Sequence, residues 1–135
     1  MSFIKTLKNE KGNAYVEFLV SLWLLVVVFA LGISILSIFS TRYNLENCAD
    51  TLIKVAETEG TTDLDVTIEK LKETTGLDFE VSWTGTEYIL GTEKVQLGDV
   101  IFLTVTDSHE IGVGKYAQPV QMISRREGMS EKYHK

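Results

Sequence analysis

The sequence predicts an α+β protein: a long N-terminal transmembrane helix that extends into a stalk, then a short helix and a small antiparallel β-sheet packed on that stalk. Three observations lead there. Phe18 to Thr41 is a run of 24 residues without Asp, Glu, Lys or Arg. Leu45, Ala49, Leu52 and Ala56 continue a helical apolar spacing beyond that run. After Gly76, short stretches alternate apolar and polar residues between glycines, which is the signature of strands.

The first element follows from length. At 1.5 Å per residue, 24 helical residues reach roughly 36 Å, enough to cross a hydrocarbon core of about 30 Å with some tilt. The overall figures of 44% hydrophobic and 24% charged residues would suit an ordinary soluble domain, so the average conceals the segregation. Lys5, Lys8 and Lys11 precede the run, whereas Arg42 to Lys135 carries 10 basic and 17 acidic residues, a formal −7. The positive-inside bias therefore places the N-terminus in the cytoplasm and the acidic part outside the cytoplasmic membrane. An acidic exterior without a basic cluster argues against nucleic-acid binding.

The apolar run fits three kinds of segment: a cleaved secretory signal, a plain anchor, or a helix that assembles with others. It is too long for the first, whose apolar core spans 7 to 15 residues, and its one small-x-small triplet, Ala30-Leu31-Gly32, has apolar residues on both sides. A plain anchor explains length, lysines and topology but not Glu17, which lies between Val16 and Phe18 where the apolar helix has begun. A carboxylate at membrane depth is unfavourable, by on the order of 2.5 to 3.5 kcal/mol at the centre and less near the interface, and usually marks a role. Were the chain cut after Gly12, Asn13 would become its first residue, one helical turn from Glu17 on the same face. The new α-ammonium group, or that of an adjacent copy, would then pair with the carboxylate, and the first turn of a helix favours negative charge.

The short basic leader, Gly12, Glu17 at the fifth position after it and Phe18 at the sixth together resemble the class III signal peptide of type IV pilin-like proteins. The Glu17-Phe18 pair is most similar to the Flp and TadE-like branch used by tight-adherence (Tad) pili. The resemblance implies a pseudopilin: cleavage between Gly12 and Asn13 by a prepilin peptidase, Glu17 as the assembly charge, and extraction by a platform and its ATPase into a filament or secretion apparatus made with other pilin-like subunits or copies of itself. Asn13 stands where many type IV pilins have Phe, and the 94 residues beyond the span exceed what short major Flp pilins carry, which favours a minor or pseudopilin role. The leader and the tail Glu127 to Tyr133 also resemble an uncharacterised family of small Gram-positive membrane proteins. The alternative that needs no assembly is an uncleaved single-pass protein displaying an extracytoplasmic binding domain.

Ile33 to Glu59 contains neither Gly nor Pro, so one helix is expected from Asn13 to Glu59, the membrane part covering 18–41, with Gly60-Thr61-Thr62 ending it; the alternative is two helices with a break near Ser40 to Arg42. Ala30, Ser34, Ser37 and Thr41 fall on one side at spacings of 4, 3 and 4, a row of small residues that would let membrane helices approach closely. The same Ser and Thr side chains can equally bond their own backbone. Next, Asp63 is placed to cap a helix through Leu64, Ile68 and Leu71 that Gly76 closes. Strands are expected at Phe79–Trp83, Tyr88–Leu90, Val95–Leu97 and Val100–Val105, the last apolar enough to be central. Gly112 and Gly114 bracket a loop before a final strand near Tyr116 to Ser124, with Pro119 marking an edge. This organises the chain as a leader (1–12), a membrane helix and stalk (13–59), an α+β domain (60–127) and a flexible tail (128–135), in which Tyr133 and His134 are candidates for docking a partner.

Catalytic chemistry is not expected. Ser108-His109-Glu110 reads as a solvated loop, because adjacent residues point in different directions and no nucleophile elbow is present. Lone Cys48 allows no internal disulfide and no Cys-based metal site, and it reads as a small packed apolar residue or as a link to a neighbouring subunit. No phosphate loop, dinucleotide fingerprint or metal motif occurs, so no cofactor is assigned.

Overall fold

The computed structural model describes residues 10–111, 115 and 117–135. In chain order the elements are α1 (Glu10–Glu59), α2 (Asp65–Thr75), β1 (Glu80–Ser82), β2 (Val100–Ile111) and β3 (Gln118–Met129), an α+β arrangement. α1 is a single helix of 50 residues with no break near Ser40 to Arg42. Its described part opens at Glu10, three residues ahead of the expected Asn13. The leader up to Asn9 and the bracketing residues Gly112, Gly114 and Tyr116 lie outside the described residues. The chain divides into two compact units at Ser37/Ile38.

In the first unit, the apolar side chains of α1 point outward all round. Phe18, Trp23, Phe29 and Leu36 are each well over half exposed. By length and composition the helix can cross a membrane, and a helix apolar all round is suited to lipid or to the core of a larger assembly.

The second unit builds one core. Leu45, Cys48, Ala49, Leu52, Ile53 and Ala56 of α1 are buried together with Leu64, Phe79, Val95, Ile101, Leu103, Val105 and Met122. Leu45, Ala49, Leu52 and Ala56 are the row read from the sequence, and burying each large side chain contributes about 1.5 to 3 kcal/mol. Ile101, Leu103 and Val105 alternate inward along β2, as a half-buried strand demands. Cys48 is packed in this core.

The sheet order is β1-β2-β3, both pairs antiparallel, with Val100 opposite Met129 and Ile111 opposite Gln118. β2 is therefore central and β3, carrying Pro119, is an edge, both as expected. β2 runs longer than its apolar stretch because its outer half pairs with β3 through polar residues. Only Glu80–Ser82 of the first expected strand joins the sheet.

Several expectations are corrected. Tyr88–Leu90 forms no strand: Ile89 N donates to Lys94 O and Thr92 N to Ile89 O, closing a turn around Gly91 at φ 78°. Val95–Leu97 pairs with no strand either; Val95 N donates to Gly60 O, and its carbonyl accepts from Ser130 Oγ. α2 is capped by Leu64 with no side-chain bond, while Asp63 turns back, its N–H donating to the Thr61 hydroxyl. Gly76 does close α2, at φ 68°. The final stretch, expected to hang free, is tied down. Glu131 N donates to Glu57 O, His134 N to Gln96 Oε1, and the His134 ring Nε2 lies 3.0 Å from Gly60 O.

Candidate functional site

The first candidate lies at the start of α1. Gly12 is exposed, with open space where a Cβ would stand. One turn on, Asn13 Nδ2 donates to Glu17 Oε1 at 3.5 Å, so the side chain of residue 13 and the Glu17 carboxylate share a face, as the helical spacing requires. Glu17 and Phe18 are both exposed, Phe18 by 65%. No basic side chain of the described residues pairs with Glu17.

The small-residue row is only partly open. Ala30 and Ser37 are exposed, and Ser34 Oγ donates to Ala30 O at 3.0 Å, taking up the hydroxyl within the helix itself. Thr41 is 7% exposed and belongs to the second unit, whose own packing occupies it. The open part of the row is therefore Ala30 to Ser37.

In the second unit, Ser108, His109 and Glu110 are not a loop but part of β2, so Ser108 and Glu110 share one face of the sheet and His109 lies on the other. Among the described residues no three His, Cys, Asp or Glu side chains gather closely enough to hold a metal ion. Burial raises the Cys48 thiol pKa, and a hydrogen bond from the Thr75 side chain offsets part of that rise. A reactive thiol needs the opposite shift. Arg126 pairs with Asp50, which raises its pKa further, and its guanidinium also reaches Ser124 Oγ and the Arg125 carbonyl. This ion pair joins α1 to the edge strand.

Two features here had no clear signal in the sequence. Asp107 occupies the next inward position of β2 after Val105; it is 4% exposed, and its Oδ2 has no hydrogen-bond partner among the described residues. A groove of about 210 Å³ lies between α1 and β3, lined by Ile38, Arg42, Leu45 and Glu46 on one side and Val120–Ser124 on the other. Its walls are largely aliphatic, and Arg42 pairs with Glu46 at 3.2 Å within it.

Among the described residues, then, the fold defines a protein with one helix able to cross a membrane, continued into a small α+β unit. Residues 22–135 match the model of Domain of unknown function (DUF4320), and the chain belongs to that family. Comparison with curated proteins and with solved structures gives no match.

Proposed function

We propose that the chain is a structural subunit of a pilus-like filament or secretion platform, a pseudopilin of Tad-like type. In this reading a prepilin peptidase cleaves it after Gly12, and Glu17 pairs an N-terminal amine as helices associate in the cytoplasmic membrane. The N-terminus faces the cytoplasm and the α+β unit faces outward. Its partners are the peptidase, other pilin-like subunits or copies of itself, and a platform driven by an ATPase. The observation that carries the reading is the shared face of residue 13 and Glu17 on a helix otherwise apolar all round. Cleavage would put an ammonium group one turn from a carboxylate that has no basic partner among the described residues.

Intact mass of the protein extracted from host membranes tests the first step, the expected result being loss of Met1 to Gly12. A retained leader in a host with a prepilin peptidase would return the chain to an anchored binding protein. Glu17→Gln tests the second step: membrane insertion persists and incorporation into assemblies falls. Unchanged incorporation would remove the role given to the carboxylate.

A further inference from the structure

Two elements of the second unit lose their charges toward the same end. On α1 the uncharged run ends at Thr41, and its last turn, 38–41, belongs to this unit. On β3 residues 118–124 carry no charge, whereas Arg125, Arg126 and Glu127 follow directly. Aliphatic side chains in that uncharged half stand open, Val120 by 39% and Ile123 by 52%.

These two stretches lie side by side. Arg126 pairs with Asp50, and the N–H of Met129 donates to Glu57 Oε1 at 3.0 Å. Toward the other end, Val120 and Ile38 line one groove. From Ile38 to Asp50 the helix rises about 18 Å, and from Val120 to Arg126 the strand advances about 20 Å. From Asp50 to Glu57, and from Arg126 to Met129, each advances about 10 Å. β3 therefore runs alongside α1 in the same direction. Its first residue, Gln118, lies about 7 Å beyond Val120 toward the N-terminal end of α1.

The membrane boundary falls at this level. The uncharged run spans roughly 36 Å and a hydrocarbon core about 30 Å, so about one helical turn is left over. The headgroup layer adds about 5 to 8 Å on each side. A helix seated by its uncharged run thus carries residues 38–41, and β3 from Gln118 to Gln121 beside them, into that layer. Gln118 and Gln121 bring amides that stay hydrogen-bonded among headgroups and water, while Pro119 and Val120 bring aliphatic surface. On β2, Glu110 stands opposite Pro119 and sets the limit of depth, because a carboxylate is unfavourable in hydrocarbon.

We propose that the start of β3, Gln118 to Gln121, rests in the lipid headgroup layer beside α1, so that the bilayer surface is the partner of this end of the second unit. The inference rests on the membrane-crossing part of the reading above and needs neither cleavage nor assembly.

The test is quenching of bimane attached to single cysteines of the full-length chain, with Cys48→Ser throughout, in phosphatidylcholine vesicles that contain either a headgroup-nitroxide lipid or iodide on both sides. Gln118→Cys and Gln121→Cys, both at exposed positions, should be quenched by the headgroup nitroxide and shielded from iodide. Met129→Cys and Val66→Cys, the latter on α2, should show the reverse. About 26 Å of strand separates Gln121 from Met129, so nitroxide quenching should differ between them by roughly twofold or more. A label at 118 or 121 that iodide reaches as freely as one at 66 overturns the proposal, and so does equal nitroxide quenching at all four positions. Val26→Cys, inside the uncharged run, separates this contact from the anchor itself. If an acyl-chain nitroxide quenches Val26→Cys while Gln121→Cys stays open to iodide, the surface contact falls and the anchor stands; if iodide reaches Val26→Cys, both fall.

Discussion

Gly60→Ala places a side chain, just beyond the end of α1, where the structure leaves no room for one. Gly60 has φ 61°, in the left-handed region, where an L side chain costs about 1 to 2 kcal/mol. A Cβ there would stand 2.7 Å from His134 Nε2, 2.9 Å from Lys132 Cβ and 3.1 Å from Ser130 Oγ. Overpacking of this kind costs typically 1 to 3 kcal/mol more. The expected loss is therefore roughly 2 to 5 kcal/mol, and a unit of this size loses about 4 to 8 °C in melting temperature per kcal/mol, so a fall of roughly 10 °C or more is expected. The assay is thermal unfolding of the full chain in detergent, followed by near-ultraviolet circular dichroism. Repeating it in a chain that ends at Glu131 removes Lys132 and His134, so the second cost should largely vanish while the backbone cost of about 1 to 2 kcal/mol remains. A loss below about 1 kcal/mol in the full chain, or equal losses in both backgrounds, would refute the close packing of the final residues on Gly60.

Other consequences follow from the core. Asp107→Val removes a buried carboxylate oxygen that has no partner among the described residues and should raise stability by about 1 to 3 kcal/mol; a lower melting temperature would mean that the carboxylate already has a partner in the protein. Leu52→Ala, at a fully buried position of α1, should cost about 2 to 5 kcal/mol, and a cost under 1 would place Leu52 outside the core. Burial raises the Cys48 pKa, so the thiol's contribution is complete below its unfolded value near 8.5 and is lost as pH rises through the higher folded value. Cys48→Ala should accordingly gain stability relative to the parent as pH rises above about 8.5, and parallel stability curves would contradict this.

What the sequence revealed, and what it hid, divides along physical lines. α1 was legible because a 24-residue uncharged run declares itself by length and the continuing row of Leu45, Ala49, Leu52 and Ala56 by its helical period. β2 was legible at its apolar half, and Gly76 as a terminator, for equally local reasons. Tyr88–Leu90 looked like a strand because its composition favours one, yet hydrogen bonds closing around Gly91 prevail over propensity. The final residues are polar and read as free, whereas Ser130 is buried and fixed by the distant Val95 carbonyl, a pairing that no local window contains. For the same reason the α1–β3 groove could not be foreseen: Leu45 and Met122 are 77 positions apart. Gly12, Asn13, Glu17 and Phe18 were legible as a motif, since one helical turn is enough to relate them.

The outer part of α1 is closed by ties to distant sequence: Glu57 to Met129, Gly60 to His134 and Asp50 to Arg126, across 72 to 76 positions. Such remote closure slows folding more than it weakens the finished fold. While it is pending, the helix offers a bare oily flank shaped to accept any β3, including that of another nascent molecule. Crowding many newly made chains into one patch of bilayer would thus favour strand exchange and entangled pairs, and abundant synthesis would be this polypeptide's chief folding hazard.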